Sequence, residues 1–131
     1  MMSLAAVQAE GERLGRELRS SSVVWLEGPL GAGKTTLARA IVRGRGVSDG
    51  ATSPTYNLVH HYEGRRGSVY HVDCYRLRHP DEAADLDWET MVASDLLLIE
   101  WPERAGAWAP KPSSRIRIGD AGEDTRTVHV E

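Results

Sequence analysis

Residues Gly28-Pro29-Leu30-Gly31-Ala32-Gly33-Lys34-Thr35 spell G-x-x-x-x-G-K-T, and no other feature constrains the surrounding chain as strongly. A loop of this pattern joins a strand to a helix and wraps backbone N–H groups around the phosphates of a nucleoside triphosphate. Glycine at 28, 31 and 33 permits backbone angles that a Cβ forbids, so consecutive amides can point into one concavity. Lys34 then reaches the β and γ phosphates and Thr35 offers a hydroxyl to a magnesium ion. The helix that starts here adds roughly half a positive charge at its N-terminus. At average composition the pattern arises by chance roughly once in a few hundred chains of this length.

The flanks have the required order. Val23-Val24-Trp25-Leu26 is an apolar run of strand type, and Leu37, Ala38, Ile41 and Val42 recur at helical spacing behind the loop. A helix over residues 5–20 precedes them, ending near Ser20-Ser21-Ser22. Further on, the runs Tyr56 to Tyr62 and Ser68 to Tyr75, separated by Glu63-Gly64-Arg65-Arg66-Gly67, predict a β-hairpin. His79-Pro80-Asp81-Glu82 predicts a helix start, with proline in the first turn and acids near the positive end of the dipole, and the helical stretch extends to about Ala93. Leu96-Leu97-Leu98-Ile99 reads as a strand buried on both faces that ends on Glu100. Trp101-Pro102-Glu103-Arg104 opens a short helix. Alternation in Arg115-Ile116-Arg117-Ile118 and Thr127-Val128-His129-Val130 predicts two late strands exposed on one side.

With 131 residues and 40% hydrophobic content, the expectation is one domain, 1–131, burying roughly two thirds of its unfolded surface. A net charge of −3 lacks the basic footprint of a protein that grips nucleic acid alone. Arg13, Arg16 and Arg19 on the first helix, and Arg39, Arg43 and Arg45 along and after the second, are read as solvated faces rather than docking surfaces. The single cysteine, Cys74, excludes an internal disulfide and a cysteine zinc cage. The mixed charges of the first twenty residues do not make a signal peptide, and no apolar run reaches bilayer length. A cytoplasmic protein with no membrane partner is expected.

Two acids complement the loop. A carboxylate ending four apolar residues is costly to bury without a cation or donor nearby, so Glu100 is assigned a magnesium-linked role. In His71-Val72-Asp73-Cys74-Tyr75-Arg76, period two places His71, Asp73 and Tyr75 on one face. Asp73 there either orients water or a magnesium ligand at the γ-phosphate, or pairs structurally with an arginine such as Arg76. No paired ligand spacing accompanies His71 that would suggest zinc. Thr52-Ser53-Pro54-Thr55 is either a hydroxyl-stabilised turn or a switch that meets the magnesium ion or γ-phosphate.

Taken in order, Gly-x-Leu-Gly-Ala-Gly-Lys-Thr-Thr, Thr-Ser-Pro-Thr-Tyr-Asn-Leu-Val, His-Val-Asp-Cys-Tyr-Arg-Leu and Leu-Ile-Glu-Trp-Pro-Glu-Arg closely resemble the bacterial TsaE family. That family is the ATPase component of tRNA threonylcarbamoyladenosine biosynthesis. The resemblance runs from about Leu14 to Arg104. Pro29 stands where Asp is common in the family, Asp87 where Gly is frequent, and Gly11 where Thr often lies near the adenine.

The resemblance implies an α/β fold like that of P-loop NTPases, with three layers and a mixed, mostly parallel central sheet. It implies binding of ATP and Mg2+ with weak hydrolysis by the chain alone. The implied partners are a TsaD-like transferase and a TsaB-like paralogue, with tRNA engaged indirectly through that complex. Hydrolysis would reset the complex rather than transfer the threonylcarbamoyl group. Gly28, Leu30, Gly31, Ala32 and Gly33 carry over to the nucleotide, as do Lys34, Thr35, Thr36 and, on its flank, Trp101. Lys34, Asp73 and Thr55 carry over to hydrolysis, and Thr35 and Glu100 to the metal. A small-molecule P-loop kinase and a non-hydrolysing nucleotide-bound adaptor are the alternatives.

Overall fold

The computed structural model describes residues 2–47, 58–122 and 125–131. After a two-residue strand β1 (Met2–Ser3), helix α1 covers Leu4–Glu17, its first turn capped by the Ser3 hydroxyl accepting from the Ala6 amide at 3.1 Å. It stops before the expected Ser20, because Leu18 is already extended. Strand β2 (Ser22–Glu27), the glycine loop and helix α2 (Lys34–Gly44) follow as the motif requires.

The hairpin forms from β3 (Val59–Gly64) and β4 (Gly67–Asp73), closed by Arg65 and Arg66. Strand β5 is Leu96–Glu100, buried throughout. The late alternating runs become β6 (Ser114–Gly122) and β7 (Thr125–Val130), an antiparallel pair longer than the alternation alone indicates and broken by a bulge between Asp120 and Gly122.

These strands make one seven-stranded sheet in the order β1-β7-β6-β2-β5-β4-β3. The four central strands, β6, β2, β5 and β4, run parallel, and the outer pairings are antiparallel. The fold is therefore the mixed α/β architecture expected, with its parallel strands in the middle. Parallel central strands are buried on both faces, which is why β5 is uninterrupted Leu-Leu-Leu-Ile.

On one face, Val24, Leu26, Leu96, Leu98, Ile116 and Ile118 pack against Leu37, Ala38 and Ile41 of α2 and Val7 and Leu14 of α1. The two helices approach closely because small residues face each other. A Cβ added at Gly15 would lie 2.1 Å from the Ile41 carbonyl oxygen, and one at Gly11 2.5 Å from the Ala40 Cβ. Gly11 thus sits at the helix crossing.

The opposite face, with Val23, Val72, Leu97 and Ile99, is covered by 3₁₀ segments at Pro80–Asp85 and Pro102–Trp108 and by the short helix α3 (Trp88–Val92). The continuous helix expected to Ala93 is broken. Leu86 turns extended to bury its side chain, and Asp87 starts a new helix by accepting from the Thr90 amide at 3.2 Å. The start signal at His79-Pro80-Asp81-Glu82 opens a 3₁₀ segment instead, and two short helical pieces stand where one helix is expected.

A further departure concerns Arg45, expected on a solvated face. Its side chain is 1% exposed, paired with Asp95 through Nε–Oδ2 at 2.8 Å and a second contact at 3.1 Å. The guanidinium also donates to the carbonyls of Gly15, Leu18 and Arg19, so it ties the end of α1 to the start of β5. Arg13, Arg16, Arg19, Arg39 and Arg43 are exposed, as expected.

Candidate functional site

The strand β2 ends at Glu27 and the chain turns through the glycine loop before α2 begins. Two glycines are needed for different reasons. Gly33 caps α2 in the left-handed region at φ 101° with no side-chain bond to the helix, which leaves the first amides of α2 for another acceptor. Gly28 is held by space, since a Cβ would stand 2.2 Å from the Ile118 carbonyl oxygen of β6. Ala32 is buried beneath the loop, its carbonyl accepting from Arg126 Nε at 2.9 Å, while Leu30 is exposed.

Lys34 turns back across its own loop. Its ammonium donates to the carbonyls of Gly28 and of Pro29, the latter at 2.9 Å, and lies 4.2 Å from the centre of the Trp101 ring. Burial pushes it below the usual lysine range, while the carboxylates of Glu100, Asp73 and Glu103 pull it back. Trp101 adopts a left-handed backbone at φ 54°, a conformation that costs a non-glycine residue about 1–2 kcal/mol. Its neighbours are Tyr75, 5.1 Å away between ring centres, and Arg104, whose Nη1 donates to the Tyr75 carbonyl at 2.7 Å.

Glu100 ends β5 as expected and is 2% exposed. Thr35 Oγ1 lies 3.1 Å from each of its carboxylate oxygens, and His71 Nε2 lies 2.5 Å from Oε2. Asp73 stands beside Glu100 in the register of β4 and β5. Its Oδ1 accepts from the Tyr75 amide at 3.0 Å, so the carboxylate shapes the turn after β4 rather than pairing with Arg76. Cys74 faces the other side, and burial pushes its thiol up to about 12.

One cavity of about 260 Å³ joins Gly31, Gly33, Lys34, Thr35, Thr36, Asp73, Glu100 and Trp101, with Leu30 and Tyr75 at its wall. The sequence-derived residues therefore converge, apart from Thr55 and the rest of Thr52–Thr55, which lie outside the described residues. Ala32 and Gly28 support the loop from below. The hydroxyl of Thr35 and the carboxylate of Glu100 form a hard oxygen pair of the kind magnesium takes alongside phosphate oxygens and water. The residues present fit such an ion.

Sequence reasoning gave no role to His71, Tyr75, Arg104 or Ile118. For His71 a signal was present: period two puts it on the Asp73 face, one step from the strand that ends in a buried acid. Ile118 carried none, because the pairing of β6 with β2 is a tertiary event.

Strand, glycine loop, helix and an acid ending the adjacent parallel strand define the P-loop class of α/β proteins. The profile described as "Threonylcarbamoyl adenosine biosynthesis protein TsaE" matches residues 1–128, and the chain belongs to the TsaE family. It is 39% identical over 127 residues to the tRNA threonylcarbamoyladenosine biosynthesis protein TsaE of Streptomyces coelicolor, covering 92% of this chain and 86% of that one. It is 37% identical to the protein of the same description from Haemophilus influenzae, covering 82% and 68% of the two chains. The structure described as "Crystal structure of Bacillus subtilus YdiB" superposes with a TM-score of 0.78 at 25% identity, over 98% of this chain and 79% of that one.

Proposed function

We propose that this chain serves tRNA threonylcarbamoyladenosine biosynthesis as a cytoplasmic, Mg2+-dependent ATP-binding and hydrolysing accessory protein. It acts on a complex of a TsaD-like transferase and a TsaB-like paralogue, and meets tRNA through that complex. Membership of the TsaE family supports the pathway. The observation that carries the chemistry is the convergence of the Lys34 ammonium, the Thr35 hydroxyl and the Glu100 carboxylate on one cavity under a glycine loop.

On this reading the amides at the start of α2 hold phosphate oxygens, and Lys34 exchanges its loop carbonyls for the β and γ oxygens. Thr35 and Glu100 would hold a magnesium ion, which would supply positive charge against that developing on the transferring phosphoryl group. Asp73, next to Glu100 and open to the cavity, orients the attacking water. Trp101 flanks the nucleotide. Thr55, in the switch segment, takes its role from the family resemblance alone.

The test is ATP hydrolysis by the purified chain with Mg2+, alone and with the two partner proteins, using Lys34→Ala as the blank. Slow release of inorganic phosphate that rises when the partners are added is the expected result. Phosphate appearing on a small acceptor instead of in water would replace this reading with a kinase. Binding without any turnover in the complex would leave an adaptor.

A further inference from the structure

The buried acid at the heart of the site is held from two sides, and only one side belongs to the glycine-loop motif. Thr35 approaches Glu100 from α2. The other partner is His71, from the middle of β4, whose Nε2 lies 2.5 Å from Oε2. Both side chains are nearly sealed from solvent, at 4% and 3% exposure. As a metal ligand Glu100 would be a carboxylate that only accepts, which requires the tautomer with the hydrogen on His71 Nε2.

The sheet explains why this histidine and no other reaches the acid. Strands β4 and β5 run parallel with Asp73 opposite Glu100 and His71 opposite Leu98. His71 is therefore two residues back on the same face, diagonal to Glu100. Behind it, His60 of β3 sits directly opposite in the antiparallel register and stacks on its ring at 5.7 Å between centres and 25° between planes. The ring is fixed by a strand on one side and a stacking partner on the other, with its nitrogen aimed at the carboxylate.

We propose that His71 is a positioning residue for the metal: its Nε2–H holds the Glu100 carboxylate turned toward Thr35, so that both oxygen ligands are in place before the ion arrives. The inference rests on the Mg2+-nucleotide reading of the site given above. Histidine and carboxylate partners outside the coordination sphere act in this way at other metal centres, where removing one costs roughly 10–100-fold in metal affinity. A merely structural role for His71 makes a different statement: its loss would lower stability but leave the metal requirement of the folded protein unchanged.

The test compares His71→Leu, which keeps bulk without the donor, with His71→Gln, whose amide nitrogen can take the place of Nε2. Binding of a fluorescent ATP analogue is titrated with Mg2+, and Mn2+ occupancy with ADP present is followed by electron paramagnetic resonance. Thermal melts identify folded variants. For His71→Leu the half-saturating cation concentration should rise roughly tenfold or more. Nucleotide binding in EDTA should stay at the wild-type level, and His71→Gln should recover most of the loss. An unchanged cation requirement in folded His71→Leu overturns the proposal, as does equal weakening with and without metal.

Should His71→Leu not fold, 15N NMR of histidine-labelled wild-type protein decides the matter, because the proposal requires a hydrogen on Nε2 of His71. An unprotonated Nε2 refutes it. Wild-type protein that binds nucleotide with no dependence on Mg2+ or Mn2+ would instead remove the underlying reading of the site, and the proposal with it.

Discussion

The Thr35 hydroxyl and the Glu100 carboxylate meet at 3.1 Å although 65 residues separate them along the chain. This contact joins the first turn of α2 to the end of β5 and makes one oxygen cluster from two elements. Glu100→Gln keeps the shape and removes the charge. Its expected phenotype is nucleotide binding that no longer responds to Mg2+, with the binding in EDTA preserved. Titration of a fluorescent ATP analogue with and without the cation reads this directly, and a wild-type Mg2+ response in the variant would contradict the role given to Glu100.

Lys34→Ala should differ in kind. Its charge serves the phosphates themselves, so affinity for nucleotide should fall both with and without Mg2+. Hydrogen bonds to charged groups are worth about 1.5–3 kcal/mol, which corresponds to a loss on the order of 10–150-fold in affinity. The same titration distinguishes the two variants, and equal affinity of Lys34→Ala and wild type would count against the assignment.

Arg45→Ala should be among the most damaging substitutions outside the cavity. Asp95 is buried beside it, and removing one partner of a buried ion pair costs about 3–5 kcal/mol because the other charge remains uncompensated. Arg45→Lys should recover little, since three donors on a point charge cannot serve the five acceptors around the guanidinium. Urea denaturation measures both.

Gly15→Ala pits helix propensity against packing. Alanine gains about 1 kcal/mol within a helix, whereas forced expansion of a packed contact costs about 1–3 kcal/mol. The colliding atoms are the Ile41 carbonyl oxygen at 2.1 Å and the Gly44 backbone at 2.9 Å. Backbone atoms cannot swing aside as a side chain does, so packing wins and the urea midpoint should fall. A rise would show that α1 slides on α2 without penalty.

Cys74 gives a pH prediction. Its thiol is pushed from an ordinary 9.0 to about 12, first by burial and then by the carboxylates of Asp73, Glu103 and Glu100. Above about pH 9 the unfolded chain releases a proton that the native one keeps, so stability falls as pH rises through that range. At pH 8 the native thiol should resist DTNB and react once urea unfolds the protein. Rapid labelling of the folded protein would place Cys74 at the surface.

Much of this fold and site is legible in the sequence. Glycine loop, strand and helix follow from local chemistry, and the all-apolar β5 ending on Glu100 announced both its burial and its acid. The hairpin followed from its turn residues. What stayed hidden depended on tertiary contacts. Leu86 interrupts a helical pattern because a pocket on the sheet takes its side chain. Arg45 looked solvated because nothing local reveals Asp95 waiting fifty positions later. His71 was on the correct face, but its reach to Glu100 depends on the register of β4 against β5.

Ile118 lies under Gly28, and β6 is the parallel neighbour that completes the flank of β2. The motif precedes β6 in the chain by the whole of the hairpin, β5 and the covering segments between them. Without β6 the glycine loop has no floor, so its shape depends on a strand far from it in sequence. The motif by itself is therefore not the site, and a fragment ending before Ser114 would carry the glycine loop without the strand beneath it.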